Sequence, residues 1–174
     1  LKVNRQDFKT IFLVALFGTN LNLAFFFYGL EYSKAINGSV ILATTPIFTL
    51  IFAHLYLKEK WTLKLVAGAV LSFLGVLTII GIPAFDLDIK STIGNLSLIA
   101  SSLAWVAHEI FSKRALKTYN ALAISFYTIV IGGILFVPFF IYELLTKPTW
   151  YLSVSNQGWM GLLYGAFFAS AVAY

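Results

Sequence analysis

Six runs of apolar residues account for most of the chain, at positions 8–30, 34–57, 62–82, 93–112, 120–145 and 157–174. Short links carrying charges or turn-forming residues separate them. The first run alone has 23 residues, about 35 Å as an α-helix, and a bilayer's hydrocarbon core is about 30 Å thick. A single apolar helix can be buried in a water-soluble core, but six in succession leave too little polar surface to cover one another. The pattern predicts an all-α integral membrane protein, a polytopic bundle with six transmembrane helices in the 174 residues present.

Composition agrees. Hydrophobic residues make up 60% and charged residues 11%, against about 25% charged in soluble domains. Cysteine is absent, which removes disulfides and thiolate metal ligands. With two histidines, no metal site and no cofactor are expected. The chain starts at Leu1 and stops at Tyr174 within an apolar run, so a fragment of a longer protein is expected.

The links alternate between two membrane faces, and the basic residues are unevenly shared. One face takes Lys2, Arg5, Lys9, Lys58, Lys60, Lys64, Lys113, Arg114 and Lys117; the other takes Lys34, Lys90 and Lys147, accompanied by Glu31, Asp86, Asp88 and Glu143. Nine against three predicts, by the positive-inside rule, that the N-terminal end and the Lys58–Lys64 and Lys113–Lys117 links are cytoplasmic in a cell (inner) membrane protein.

Small residues mark where helices can approach closely in lipid. Gly18, Asn22 and Gly29 share a stripe on the first helix, Gly68, Ser72 and Gly75 on the third, and Gly161, Gly165, Ala169 and Ala173 on the sixth. These are read as packing seams. Asn22 lies on such a stripe, whereas Asn20 shares a side with Leu16, Ala24 and Phe27. The fourth helix aligns Ser97, Ser101, Ala104, His108 and Ser112, a polar stripe too costly to face lipid. From these polar faces the substrate-cavity candidates are Asn22, Thr45, Trp105 and His108, with Tyr127 and Tyr28. Glu109, the one carboxylate well inside an apolar run, has a plain reading as the ion-pair partner of Lys113 at the favourable i,i+4 spacing. Its functional reading is a coupling group for a proton or cation, next to His108. His54 reads as interfacial.

Pro46 sits inside an apolar run that ends at Lys58-Glu59-Lys60. It predicts a kink near mid-membrane, with Thr45 and Thr49 placed to bond back to the backbone freed by the proline. Its spacing to one glutamate and two glycines downstream carries more. Pro46, Glu59, Gly68 and Gly75, in the runs Pro46-Ile-Phe-Thr-Leu, Leu57-Lys-Glu-Lys and Leu74-Gly-Val, resemble the EamA-like permeases of the drug/metabolite transporter superfamily. That resemblance implies a ten-helix transporter built from two inverted five-helix repeats, with this chain covering about helices three to eight. Residues 1–82 would be the back of the first repeat, 83–92 an extracytoplasmic linker and 93–174 the front of the second. Leu16-Phe17-Gly18 echoes Leu163-Tyr164-Gly165 in segments of opposite direction, as inverted repeats require. Pro46, Glu59, Gly68 and Gly75 are assigned to structure, with Glu59 pinning a helix end beside Lys58, Lys60 and Lys64.

The function so implied is a permease, an exporter of small organic metabolites such as amino acids or of drugs, working by alternating access between the repeats. Its partners would be the lipid bilayer, a small-molecule substrate and, as an assembly option, a second copy in a homodimer. A non-transporting scaffold or receptor domain is the alternative, though it needs no polar stripe inside a bundle. An intramembrane enzyme fits less well: His108-Glu109 starts a zinc-protease pattern, but Ser112 stands where the second histidine belongs. Basic residues at membrane exits form no groove-sized patch, so nucleic-acid binding is excluded.

Overall fold

A computed structural model describes residues 4–80 and 88–172. The described residues are almost entirely helical. In order they form α1 (Arg5–Ala15), a π-helical stretch (Leu16–Leu21), α2 (Asn22–Tyr32), α3 (Ala35–Ala43), α4 (Thr45–Leu57), α5 (Leu63–Ile80), α6 (Ile89–Ala115), α7 (Ala121–Thr146), a 3₁₀ turn (Trp150–Ser153), α8 (Asn156–Tyr164) and a second π-helical stretch (Gly165–Val172). Lys2, Asp86 and the last residues of the third apolar run lie outside the described residues.

Among the described residues three helical stretches are long and apolar enough to cross a membrane, Asp7–Tyr32, Ala35–Leu57 and Ala121–Thr146, while Leu63–Thr78 is apolar but shorter. α6 has the length, 27 residues, but its polar stripe dilutes its apolar character. It begins at Ile89, a turn earlier than the apolar run suggests. The Asp88 carboxylate accepts from the Ser91 N–H at 2.9 Å, an N-cap that starts the helix within a polar stretch.

The second crossing corrects an expectation. Pro46 does not kink a continuous helix. α3 ends at Ala43, Thr44 forms a turn, and α4 restarts at Thr45 with Pro46 in its first turn. There a missing N–H costs nothing, because first-turn donors have no intrahelical partner in any case. The Thr44 hydroxyl closes the turn by donating to the Ile41 carbonyl at 2.5 Å. α4 stops at Lys58, which takes a left-handed φ of 56°, the geometry that ends helices.

By contact, the chain divides into residues 1–132 and 133–174. In the first unit α6 is the hub, packing against α1, α2, α3 and α4. Leu98 and Val106 of α6 and Ile11 and Val14 of α1 are sealed from contact with the surroundings. Glycines set the approach of α2 to α6. A Cβ on Gly94 would stand 2.7 Å from the Tyr32 carbonyl carbon and 2.8 Å from the Ser33 nitrogen, and one on Gly29 would stand 2.6 Å from Leu98 Cγ. The second unit contains the rest of α7, which carries Pro138 within the helix, and α8 with its π-helical continuation. Its Lys147 and Glu143 pair at 3.7 Å, four residues apart.

The small-residue seams are only partly met. Gly18 and Gly29 do face α6, but a Cβ on Gly68, Gly75 or Gly161 would meet nothing within 4 Å. The α5 stripe turns its Gly68 and Ser72 to a cavity instead of a helix. Ala173 lies outside the described residues.

Gly94→Ala forces its methyl onto backbone, which cannot yield as a side-chain tip can. It should lower stability by about 1–3 kcal/mol, read as a fall in the thermal midpoint in detergent. Gly75→Ala, with open space around it, should leave stability unchanged or raise it by up to about 1 kcal/mol through helix propensity, with the midpoint held or raised accordingly.

Candidate functional site

Two irregularities of backbone flank a large cavity of the first unit. One is the π-helical stretch that ends where Asn22 begins α2; the other is the break at Thr44 that precedes Thr45 and Pro46. Between them opens a space of about 910 Å³, walled by α2, α3, α4, α5 and α6. Its apolar walls include Leu23, Phe26, Leu42, Leu50 and Leu65, and its polar groups come from Asn22, Thr45, Thr49, Ser72, Ser101 and Glu109, with Lys64 in the first turn of α5. Trp105 completes the lining. Mostly apolar walls with a few convergent polar groups are the usual make-up of a small-molecule site.

Asn22 is held at this wall by α6. Its side-chain amide donates to the Ser101 carbonyl at 3.1 Å and hydroxyl at 3.0 Å, and the Ser101 hydroxyl donates back to the Asn22 carbonyl at 3.0 Å. Asn22 thus lies on a protein-facing stripe as expected. Asn20 departs from expectation: it too is buried, donating to the Gly132 carbonyl at 3.1 Å. The intervening π turn, with i→i+5 bonding, changes the angular step along the helix, so a face read at constant 3.6-residue pitch misplaces Asn20.

Glu109 overturns the pairing expected for it. Lys113 reaches across to Glu59 of the α4 exit at 2.7 Å. Glu109 instead accepts from the Trp105 indole N–H at 3.1 Å through Oε1 and from the Thr49 hydroxyl at 2.7 Å through Oε2. Thr49 therefore does not bond back to its own helix. Glu59 does pin a helix end, through Lys113, while its own carbonyl lies 2.8 Å from His54 Nδ1.

A second cavity, about 390 Å³, lies along the same α4–α6 seam, lined by residues including Ala53, Leu57, His108, Ser112 and Lys113. Thr49, Trp105 and Glu109 line both spaces. His108 belongs to the smaller one. Its Nδ1 lies 2.9 Å from the Val14 carbonyl, and a carbonyl only accepts, so Nδ1 carries the proton. Gly18 makes room for the imidazole, since a Cβ there would collide with the ring. Tyr28 stands apart, exposed, its ring tilted against that of Tyr32 at 4.9 Å, and neither it nor Tyr127 lines these two cavities.

One end of the first unit gathers the links expected on a common face. The Tyr119 hydroxyl accepts from the Asn4 N–H at 3.1 Å and donates to Asp7 at 2.8 Å, and Arg114 donates to the Tyr56 carbonyl at 3.4 Å. The Asn4 bond favours the phenolate, but the hydrogen bond to Asp7, partial desolvation and the nearby Asp7 charge together outweigh it, so the Tyr119 pKa lies above the usual tyrosine value.

Asn22→Leu should remove both side-chain bonds to Ser101 and lower stability by about 1 kcal/mol, the usual scale for interhelical hydrogen bonds in membranes. An unchanged thermal midpoint would mean that this joint does not hold α2 to α6.

Comparisons with known proteins agree with this architecture. The EamA-like transporter family matches residues 1–81 and 92–174. The chain is 28% identical to the Bacillus subtilis protein named uncharacterized transporter YyaM, over 100% of the chain and 56% of that protein. It is 25% identical to uncharacterized transporter YoaV of the same organism, over 94% of the chain and 56% of that protein. An uncharacterized transporter of Archaeoglobus fulgidus is 28% identical over 79% of the chain and 48% of its own length. The chain thus spans about half the length of the curated relatives it matches. No solved structure matches it. With a profile covering nearly all of its residues and polytopic apolar helices in its structure, the chain belongs to the EamA-like transporter family of multi-pass membrane proteins.

Proposed function

We propose that the 910 Å³ cavity is the substrate site of a permease that exports small organic metabolites such as amino acids, or drugs, by alternating access. The observation that supports this best is the cavity's placement. It opens where two membrane-crossing helices depart from regular geometry, the arrangement in which irregular backbone survives at membrane depth because it lines a cavity. A scaffold or receptor domain has no need of such a space. The inverted-repeat plan, with residues 1–82 and 93–174 from successive repeats, has support in the recurrence of π-helical geometry at Leu16–Leu21 and Gly165–Val172, which overlap the two halves of the internal sequence echo.

The orientation follows from charge. The end that carries Arg5, Glu59, Lys113 and Tyr119 faces the cytoplasm of a cell membrane protein, because basic residues are retained on that side. The 174 residues contain no cysteine, so single cysteines at Lys60 and Lys117 should both react with a membrane-impermeant maleimide from the cytoplasmic side alone. Opposite accessibility of the two would break the topology.

Gly68 lines the cavity and has open space at its Cβ position, so Gly68→Trp in the full-length protein should fill the site without displacing a helix. Flux in vesicles should fall at least about tenfold, as expected when a binding site is occluded, with membrane insertion unchanged. Trp105→Ala should alter flux as well. Unaltered flux in both would remove the cavity from the transport path.

A further inference from the structure

We infer that Glu109 is a cation subsite for the ammonium group of an amphipathic organic amine, approached from both of the cavities it lines. This rests on the larger cavity being the substrate site and names the chemistry that site selects. A carboxylate at membrane depth is costly unless a cation compensates it, and the cation nearest in sequence, Lys113, is taken by Glu59 at 2.7 Å. Among the described residues, Glu109 has hydrogen bonds from Trp105 and Thr49 and no ion pair. These neutral donors hold its oxygens in place without cancelling its charge.

The other ionisable groups around it form no ion pair with it among the described residues. His108 is committed to the Val14 carbonyl. Lys64 lines the larger cavity too, from the first turn of α5, without pairing with Glu109. The carboxylate therefore presents oxygens held only by neutral donors to a space whose walls are mainly apolar.

The surroundings select an organic cation over a metal ion. A hard divalent cation wants six or more oxygen ligands, and no group of three acidic, histidine or cysteine side chains that could hold a metal occurs among the described residues. Beside Glu109 stands instead the indole of Trp105, 41% exposed, whose face attracts ammonium groups. Leu23, Phe26 and Leu50 suit an apolar body attached to that ammonium. Since Thr49, Trp105 and Glu109 line both spaces, an incoming ammonium competes with Trp105 and Thr49 for the carboxylate oxygens. Its binding loosens the contacts between the two cavities.

The test uses the purified full-length protein in lipid nanodiscs at neutral pH, with radiolabelled 2-phenylethylamine and its neutral isostere 2-phenylethanol as probes and empty discs as the blank. Wild type should bind the amine at least about tenfold more tightly than the alcohol, as expected for a charge-assisted contact. Glu109→Gln should erase that preference while keeping alcohol affinity within about twofold, which also reports that the variant is folded. Gly68→Trp should abolish both. Equal amine affinity in wild type and Glu109→Gln, or no amine preference in wild type, overturns the subsite while alcohol binding lost in Gly68→Trp leaves the cavity reading standing. Alcohol binding absent from wild type, or untouched by Gly68→Trp, sinks the cavity reading and the subsite with it.

Discussion

Where no water reaches, a polar group needs a partner in the protein, and four polar side chains of α6 find theirs on neighbouring segments, while the buried Ser112 hydroxyl does not. That constraint organises the first unit. Ser101 exchanges hydrogen bonds with Asn22 of α2, and His108 donates to Val14 of α1. Asn95 accepts from Ser33 at 2.6 Å, and Glu109 draws in Thr49 of α4. Each joint ties a different stretch of chain to α6, which is why α6 sits at the centre of the first unit. The glycines at 29 and 94 are the steric counterpart, bringing α2 close enough for these short polar side chains to reach.

The helical architecture was legible because lipid imposes a coarse, repetitive pattern: apolar stretches of membrane length, closed by charges. The small-residue argument succeeds at Gly18 and Gly29, which face a helix, and fails at Gly68, which faces empty space. A missing side chain permits close approach, but it equally permits a cavity, and spacing alone does not tell the two apart. Asn20 is misplaced for another reason. Its face is read at a constant helical pitch across Leu16–Leu21, and nothing in Leu-Phe-Gly-Thr-Asn-Leu announces a π turn.

The candidate site was legible in parts. Asn22, Thr45, Trp105 and Glu109 all line the large cavity, found from polarity on an apolar face. His108 lines the smaller one. Thr49, Ser101 and Lys64 are not among the sequence candidates. Ser101 is visible in the stripe, but Thr49 has a local role beside Pro46 in a reading by sequence, and Lys64 counts there only as a topological charge. The Glu109–Lys113 pairing fails because an i,i+4 rule describes an isolated helix. In the fold, Glu59 of the α4 exit competes for the same ammonium and holds it at 2.7 Å.

That exchange of partners joins structure to function. Glu59 belongs to a family-like spacing with Pro46, Gly68 and Gly75 and is expected to pin a helix end. By capturing Lys113 it does pin α6 to the α4 exit, and in the same act it leaves Glu109 with neutral donors only. Pro46 acts similarly at the other end of α4: placed in the first turn, it starts a helix whose Thr49, one turn on, reaches Glu109. Residues at helix ends can therefore shape what a cavity presents, by deciding which helix ends meet and which side chains are left facing inward. Helix-end chemistry at Pro46 and Glu59 thus governs where the Glu109 carboxylate sits and which donors reach it.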